Sequence, residues 1–491
     1  MRFITDAIVY RGTRPQRLAE VFFWRALYGL LDTQFVVTVT SWIFRGLTLL
    51  SGRPLAEGLL ALLERRLVFS GWPYQSPGWI NLHLSRFVWR VRRQPARQGQ
   101  TRKATHRSCH VPLRIGFVGC FSGLLGFPRD LFEACPSTVR LHIFDIEFQG
   151  QLASYLRDVA TGYFSIPNPE GRPDRAHIAA LANAINTSEL DMLVSISWRE
   201  HGYDLLDAVT TPCIVNHCTG SDLMHHEKVD VQLYLQPQAD YLLRGSRLFC
   251  CTTESQSPFG NLREITGFYD RRSVDSSAVK TWKEREPLIV FHGSLRYLQG
   301  CKYLETVFGL LGDDDGLQFV FMGKDNGVAL KTVIEAAKRA GVDTQVNYEG
   351  VFSATRSEDG TIHDSGWLGM LSYLRQARLA PDPWPYGGGA SRFEGYLAGV
   401  PSVHMGLRVD RASWRQRQHS VVEVPLLHVP AATATSTDEY RTLCRRCLYD
   451  EEFADGLISE QLRVAEAASD SSGWWGELVE LYEEWQCSTI G

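Results

Sequence analysis

Short apolar runs that end at glycine are the feature of this sequence that most restricts its fold. Leu288–Gly293 and Leu317–Gly323 are two such runs, and Leu113–Cys120 is a similar apolar stretch near the middle of the first half. Helical patterns, notably Tyr303–Leu311 and Val328–Ala340, separate the runs of the second half. Strands that alternate with helices form parallel sheets, with ligand sites at the carboxyl ends of the strands. The sequence therefore predicts an α/β protein.

The length of the chain requires more than one hydrophobic core. With 491 residues, it exceeds what a single core usually supports. We predict two Rossmann-like domains that face a cleft, at residues 111–280 and 281–491, preceded by an α-helical extension and basic linker at residues 1–110. In the extension, Phe35–Leu50 has a strong helical pattern. The uncharged stretch Thr33–Phe44 is shorter than the roughly 20 apolar residues of a membrane span, so we expect a buried helix there.

Charge and cysteine content exclude some classes of protein. A net charge of −4 and a pI near 6.4 argue against a dedicated nucleic-acid binder. The 11 cysteines form no regular framework, which favours a reducing cytoplasm over a disulfide-stabilised secreted protein. Residues 1–17 hold charges throughout and no apolar central region, so we expect no secretory signal in them. We therefore expect a cytoplasmic protein.

A basic segment rich in aromatic residues precedes the first predicted domain. No acidic residue occurs between Glu64 and Asp130, whereas arginines and aromatic side chains recur around residues 86–107. Such a segment can contact an anionic membrane surface or an acidic partner. It is equally typical of an amphipathic helix that ends in a solvated linker. Both interpretations stay open, and the first adds peripheral membrane contact to the cytoplasmic expectation.

The stretch that runs from Asp382 to Glu394 carries the clearest functional signal. Three glycines, at residues 387–389, let the backbone approach a ligand closely. Ala390–Leu397 is predicted to be a short helix, and the N-terminus of a helix favours an anion. Glu394 falls one turn inside that helix, where it can accept hydrogen bonds from a sugar hydroxyl. A phosphate site beside a diol site is typical of nucleotide-sugar binding, although a tight turn without a ligand is the simpler alternative.

This half of the chain resembles the C-terminal domain of GT-B glycosyltransferases, in particular O-linked N-acetylglucosamine transferases and related bacterial protein glucosyltransferases. Those enzymes carry a Gly-His-Thr-Thr-x-x-Asp segment followed by Gly-x-Pro and a strand. The corresponding stretches here are Gly388–Glu394 and Gly399–Pro401. Ser391 keeps one hydroxyl of the threonine pair, Glu394 replaces the acid that binds the donor ribose, and the histidine and first threonine are absent. Leu190–Asp222 resembles the family's strand, turn and polar loop at the cleft.

The resemblance implies where the sugar donor binds. A cation in the loop after Leu288–Phe291 would bind the diphosphate, an aromatic residue after the strand near residue 348 would stack on the nucleobase, and an arginine at the helix start would add a third phosphate ligand. The last two are otherwise explained as a core aromatic and an exposed helix-start arginine. The predicted donor-binding residues are Arg296, Lys302, Phe352, Gly388, Gly389, Ser391, Arg392 and Glu394.

Sugar transfer with inversion needs a base that takes the proton of the acceptor. His217 is the first candidate, because it follows the predicted strand Cys213–Val215, and strands of a parallel sheet deliver residues to the cleft. Asp222 in the same loop is the alternative, either as the base or as the partner that orients His217. A histidine in such a position is otherwise a hydrogen-bonded structural residue.

No acidic cluster points to a metal site. Asp313–Asp315 precedes a predicted strand, at the end of the sheet away from the cleft. Asp145 ends a strand of the other predicted domain, at the position of a ribose-binding acid, but the glycine spacing before it does not fit a dinucleotide fingerprint. The resemblance to GT-B enzymes instead implies that Arg296, Lys302 and the helix dipole neutralise the diphosphate charge, so we expect transfer without a metal ion.

Together these features predict an inverting, metal-independent glycosyltransferase of the hexosyltransferase type. Its donor would be a nucleotide-sugar, UDP-linked in the family that the chain resembles, and no further cofactor is expected. The acceptor, a hydroxyl or amide of a protein, glycan or small molecule, is not specified by the sequence. Two alternatives stay open: a sugar-nucleotide epimerase on the same fold, and a non-catalytic protein that binds a nucleotide.

Overall fold

The chain divides into two compact units, Met1–Thr266 with Ser471–Gly491, and Gly267–Asp470. The computed structural model describes residues 30, 33–52, 55–56, 58–60, 62–63, 87–88, 90–91, 112–121, 129–147, 152–168, 175–196, 199–218, 226, 228–234, 261–264, 279–298, 302–323, 329–350, 355–356, 362–363, 365–384, 390–405 and 427–490. Each unit contains its own parallel sheet.

The sheet of the first unit has a Rossmann-like strand order. Its described strands are β1 (Leu113–Gly119), β2 (Val139–Ile146), β3 (Gly162–Ile166), β4 (Met192–Ile196), β5 (Cys213–Cys218), β6 (Val231–Tyr234) and β7 (Asn261–Glu264). They pair in the order β3-β2-β1-β4-β5-β6-β7, with every pair parallel. The order reverses direction between β1 and β4, which is the topological switch point of such a sheet.

Four described helices belong to the N-terminal part of this unit: α1 (Gln34–Ser51), α2 (Arg129–Glu133), α3 (Arg175–Thr187) and α4 (Arg199–Ala208). The strands between them are apolar because helices cover both faces of a parallel sheet. Ile115, Phe117 and Ile143 accordingly have no exposed surface. This burial explains why the sequence shows continuous apolar runs rather than an alternation of apolar and polar residues.

Helix α1 confirms the helix predicted at Phe35–Leu50. It begins after Thr33, whose hydroxyl accepts a hydrogen bond from the Val36 amide at 3.4 Å. Val37 and Ser41 on one side are buried, and Val37 belongs to the same apolar cluster as sheet residues of the first unit. The opposite side is exposed, so the expectation of a buried helix is correct for one face only. No helix in the described part of the chain is long and apolar enough to cross a membrane.

The second unit repeats the same strand order on a smaller scale. Its described elements are β8 (Glu286–His292), α5 (Lys302–Leu311), β9 (Gln318–Met322), α6 (Ala329–Ala340), β10 (Val346–Tyr348), β11 (Thr355–Arg356), β12 (Ile362–His363), α7 (Ser365–Gln376), β13 (Ala377–Leu379), α8 (Ala390–Leu397), β14 (His404–Met405), β15 (Thr433–Ala434), α9 (Thr437–Tyr449) and α10 (Glu451–Ala468). The order β10-β9-β8-β13 is parallel throughout and reverses direction between β8 and β13.

The backbone beyond β13 continues this sheet toward β14. The amide of Ala380 donates to the carbonyl of Pro401 at 2.9 Å, and the amide of Asp382 donates to the carbonyl of Val403 at 2.8 Å. The buried Gln461 side chain fixes the same segment, because its amide group bonds both the N–H and the carbonyl of Ser402, at 3.2 and 2.6 Å. These bonds hold the segment beside the switch point in place.

The last helix, α11 (Ser471–Ile490), returns to the first unit. The indole N–H of Trp475 donates to the carbonyl of Leu131 at 2.6 Å, and the rings of Trp474 and Trp475 both lie near Phe117. The domain division predicted from the sequence placed this helix with residues 281–491. Its two buried tryptophans instead complete the core of the first sheet.

Candidate functional site

A small pocket that is partly open to solvent lies at the switch point of the second unit. The end of β8, the segment after β13, the first turns of α8 and Ser402 form its walls: Val290, Phe291, His292, Ala380, Pro381, Asp382, Pro383, Ser391, Arg392, Gly395 and Ser402. In open parallel sheets, ligands bind outside the carboxyl ends of the strands at this point. Asp382 and Ser391, which flank the predicted Gly-rich segment in the sequence, therefore line a pocket at the expected edge of the sheet.

A buried ion pair joins α8 to the segment after β13. The Nε and Nη2 atoms of Arg392 donate to one carboxylate oxygen of Asp382 at 3.0 and 2.5 Å. Both side chains are almost completely buried, with exposed fractions of 0% and 4%. The carbonyl of Asp382 also accepts the hydroxyl of Tyr440 from α9 at 2.7 Å. These contacts fix the start of α8 relative to the strand that it follows.

This pair changes the role predicted for Arg392. The sequence suggested a third phosphate ligand or an exposed helix-start arginine, but the guanidinium is buried against Asp382. Charge-assisted bonds to a buried carboxylate neutralise the arginine within the protein. The alternative of an exposed arginine is therefore wrong. The pair favours a positioning role, in which Arg392 holds α8 at the wall of the pocket, and its role as a phosphate ligand stays a prediction.

A second acid on α8 stands beside a strand end and is partly open. Glu394 lies one turn inside the helix, and its Oε2 atom is 3.3 Å from Nε2 of His292, the last residue of β8. The side chain of Glu394 is 25% exposed, whereas that of His292 is 8% exposed. The separation suits an ion pair when the imidazole is protonated, although the pair lacks hydrogen-bond geometry. Glu394 thus has capacity to accept hydrogen bonds from a ligand.

Two glycines bring the strand ends beside the pocket into close approach. Gly293 after β8 and Gly323 after β9 have φ values of 140° and 143°, a region that other residues rarely adopt. A Cβ atom on Gly323 would lie 1.6 Å from the carbonyl oxygen of Gly293. The hydroxyl of Tyr348 donates to the carbonyl of Gly323 at 2.9 Å and ties β10 to the same edge. These requirements explain why both apolar runs end at glycine.

The other predicted donor-binding residues are described in part. Ser391 lines the pocket at the start of α8. The main chain places Arg296 in the short 3₁₀ helix Leu295–Leu298 directly after β8, and Lys302 at the first position of α5. Both positions follow the carboxyl end of β8, the edge on which the pocket lies. Phe352, Gly388 and Gly389 lie outside the described residues.

The predicted base His217 lies inside β5 rather than after it. The strand continues to Cys218, and His217 pairs with Ile196 of β4 and Leu233 of β6. Its side chain has no exposed surface, and its ring centroid is 6.0 Å from that of Trp474. Burial lowers the pKa of His217 to about 3, only partly opposed by a hydrogen bond to its own backbone. The assignment of His217 as the base stays a prediction, and Asp222 lies outside the described residues.

The carboxylate of Asp145, at the end of β2, accepts hydrogen bonds from the protein itself. Its carboxylate accepts the amides of Phe121 and Ala153 at 3.2 and 2.5 Å and the hydroxyl of Tyr163 at 2.8 Å. The residue has no exposed surface. Burial raises the pKa of Cys120 to about 12, and the negative charge of the nearby Asp145 contributes to the same shift. Asp145 therefore organises the switch point of the first unit rather than binding a ribose there.

Two of the acidic residues before β9, Asp313 and Asp314, also bond to side chains of the protein itself. Asp313 pairs with Arg441, at 2.7 Å, and with Arg445, both on α9, and these partners hold the pKa of Asp313 below its ordinary value. Asp314 accepts the hydroxyl of Tyr449 at 2.7 Å. Within the described ranges, no group of three or more histidine, cysteine and acidic side chains is arranged to hold a metal ion.

The sequence pattern did not single out His292 or Asp382. Each lies at the end of an apolar run of the second sheet, and a polar residue at a parallel strand end is itself a signal for the ligand edge. In the sequence pattern, Asp382 is only the first residue of the Gly-rich stretch. Its pairing with Arg392 depends on the hydrogen bonds between the segments after β13 and before β14, which no local pattern encodes.

Several solved structures share this architecture. A mutant O-GlcNAc transferase of Thermobaculum terrenum has a TM-score of 0.55 and 15% identity, with 98% of this chain and 100% of that chain covered. A glycosyltransferase of Rickettsia africae ESF-5 has a TM-score of 0.52 and 11% identity, with 76% and 99% covered. HepE of Anabaena in complex with UDP and glucose has a TM-score of 0.50 and 12% identity, with 76% and 100% covered. No family model matches the sequence, and curated proteins give no match.

The chain has the GT-B fold, with two Rossmann-like domains. This finding confirms the fold class that the sequence predicted and the resemblance on which it rested. At identities of 11–15%, the structural similarity establishes the fold alone. The activity must be argued from the site, since one fold hosts many functions.

Proposed function

We propose that this chain is a glycosyltransferase that binds a UDP-sugar in the pocket of its second unit and transfers the sugar to an acceptor. The observation that carries this proposal is the position of Glu394. It is a partly exposed acid one turn inside the helix that borders a switch-point pocket. An acid in that position can bind the ribose hydroxyls while the start of the helix faces the diphosphate.

The nature of the donor is supported by the structural neighbours. HepE, which shares the fold, is in complex with UDP and glucose. In our proposal, Arg296, Lys302, Ser391 and the glycines at 388–389 contact the diphosphate of such a donor. Phe352 stacks on the base.

The reaction is a single displacement at the anomeric carbon. The acceptor oxygen or nitrogen attacks that carbon, the bond to the diphosphate oxygen breaks, and the anomeric configuration inverts. The diphosphate leaves with the electron pair of the broken bond, and its charge is neutralised by the cations and by the dipole of α8. A base, His217 or Asp222 in this proposal, takes the proton of the acceptor.

Replacing Glu394 tests the donor site. Glu394→Ala should weaken UDP binding by about 1–3 kcal/mol, the range for losing a charged hydrogen-bond partner, in titration calorimetry. Glu335→Ala, which removes an exposed acid from α6, is the matched control and should bind UDP normally. Equal UDP affinities for both variants would remove Glu394 from the site and with it the main support for this function.

The absence of a metal requirement is tested with EDTA. If lysine, arginine and the helix dipole neutralise the diphosphate, transfer should persist after chelation. Loss of activity with EDTA and its recovery with manganese or magnesium would contradict this part of the proposal. Products separate the other activities: an epimerase converts the UDP-sugar without releasing UDP, and a non-catalytic binder leaves it unchanged.

A further inference from the structure

Nearly all the exposed large apolar side chains in the described part of the chain lie near its N-terminus. Leu30, Phe35, Trp42, Ile43, Leu49, Leu50, Leu55, Leu59, Leu62 and Leu63 are exposed by 40% or more, and Tyr449 is the one further case among the described residues. Scattered apolar residues are normal on a protein surface, but a contiguous apolar patch marks a site of interaction. Such a concentration therefore points to a surface with a partner.

The apolar residues of α1 form a single stripe. Phe35, Trp42, Ile43, Leu49 and Leu50 stand at positions i, i+7, i+8, i+14 and i+15, which share one face of a helix. Their exposed fractions are 77%, 67%, 57%, 86% and 86%. We call these five residues the outer face of α1. Because large apolar side chains that share one exposed face form a contiguous patch, this face is suited to contact a second apolar environment.

The inner face of α1 packs against the first unit, so a loosely attached helix does not explain the exposure of the outer face. Val37 is 4% exposed and belongs to the apolar cluster that contains Val118 and Phe144 of the first sheet. The leucines at 55, 59, 62 and 63 repeat the pattern, since they are exposed while Ala56 and Leu60 between them are buried. Both segments therefore present one apolar side to the first unit and another apolar side away from it.

The charges around the outer face complement an anionic surface. No acidic residue lies within α1, which carries Arg45, and residues 65–129 contain 12 lysines and arginines and no acid. The guanidinium of Arg90 donates to the side chain of Gln34 at 2.7 Å, so the basic segment meets the first residue of α1. Basic residues beside an apolar helical face are typical of helices that lie in the interface of an anionic membrane.

We propose that the outer face of α1, with the leucines of residues 55–63, docks this protein on an anionic lipid surface. The apolar side chains enter the boundary between headgroups and acyl chains, and the arginines neutralise lipid phosphates or carboxylates. The helix lies in the plane of the surface rather than across the bilayer, in line with the lack of a spanning helix among the described residues. This proposal does not rest on the sugar-transfer activity.

Vesicle sedimentation of the full chain tests the docking. The protein should sediment with vesicles of phosphatidylcholine and phosphatidylserine, bind vesicles of phosphatidylcholine alone more weakly, and lose affinity as salt is added. The double variant Trp42→Ser, Leu49→Ser should bind the anionic vesicles roughly 10- to 100-fold more weakly, because two large apolar groups no longer leave water. Tyr449→Ser, which removes an exposed aromatic from the second unit, should bind like the natural chain.

Two outcomes would overturn the proposal. One is that the natural chain does not sediment with anionic vesicles, or that the double variant binds them equally well. The other is that ultracentrifugation without lipid shows a dimer that the double variant dissociates, which would assign the outer face to a second copy of the chain. Matching melting temperatures and UDP affinities of the double variant and the natural chain verify that it is folded.

Discussion

In both units, an acidic residue stands beside the carboxyl end of a parallel strand, but the surroundings of the two acids differ. Asp145 at the end of β2 is fully buried and accepts three hydrogen bonds from the protein. Glu394 beside the end of β8 is 25% exposed and faces only His292 at 3.3 Å among the ion pairs of the described residues. An acid whose acceptor capacity is used internally has a structural role, whereas an acid with open capacity can bind a ligand.

The second unit contains charges of both kinds. Asp382 and Arg392 form a closed pair that is nearly as buried as Asp145 in the first unit, whereas Glu394 is open. One helix, α8, carries both Arg392, which pairs with the buried Asp382, and Glu394, which is partly exposed beside His292. The closed charges, Asp382 and Arg392, position the helix, and the open charge, Glu394, is available to bind a ligand. Substitutions of the closed charges should therefore affect stability, and substitutions of the open charge should affect binding.

The largest effect is expected from breaking the closed pair of the second unit. Arg392→Ala leaves the carboxylate of Asp382 buried without its cation, and the free energy of unfolding should fall by roughly 3–5 kcal/mol in urea titrations. Arg445→Ala is the matched control, since it removes a half-exposed arginine paired with Asp313 and should cost less than about 1 kcal/mol. An unchanged stability of the Arg392 variant would return this arginine to the group of candidate phosphate ligands.

A smaller loss is expected at the closed acid of the first unit. Asp145→Ala removes the acceptor for Phe121, Ala153 and Tyr163, and stability should fall by roughly 2–3 kcal/mol because buried donors are left unsatisfied. UDP affinity, measured at a temperature where the variant is folded, should not change. If Asp145→Ala instead lost UDP binding at normal stability, the nucleotide would belong to the first unit and the comparison would be reversed.

The sequence predicted the fold well because both sheets rest on local patterns. Apolar runs that end at glycine, with amphipathic segments between them, determine the parallel strands and their helices. Gly323 illustrates this, since its positive φ and its close contact with Gly293 require the residue that the pattern shows. The spacing of Glu394 after the glycines likewise follows from helix geometry alone. These features need no knowledge of distant contacts.

The roles of individual side chains depended on contacts that no local pattern encodes. His217 appeared to follow a strand, because Asn216 and His217 are polar and look like the start of a loop. In the structure both pair with β6 as part of β5, since the neighbouring strand reaches as far as Tyr234. The local sequence is compatible with an exposed arginine at position 392, whereas in the structure Arg392 donates a hydrogen bond to the buried Asp382. Burial of a polar residue is decided by what packs against it.

The smallest effect in this series concerns the buried histidine of the first unit and its dependence on pH. Burial lowers the pKa of His217 to about 3, whereas an unfolded histidine has a pKa of about 6.5. Between these values the unfolded chain binds the additional proton, so this contribution to stability is complete above about pH 6.5 and is lost as the pH falls toward 3. At about pH 5.5 the loss should be roughly 1.4 kcal/mol relative to neutral pH.

Comparing His217→Phe with the natural chain isolates the contribution of His217 to the pH dependence of stability, because all other titrating groups are shared. The free energy of unfolding of the variant should fall less between about pH 7.5 and 5.5, by roughly 1.4 kcal/mol. Phe117→Leu, which alters the packing around the same Trp474, should keep the pH dependence of the natural chain. A His217 variant with the natural pH dependence would mean that the imidazole titrates in contact with solvent. That result would place His217 within reach of an acceptor and favour it as the base.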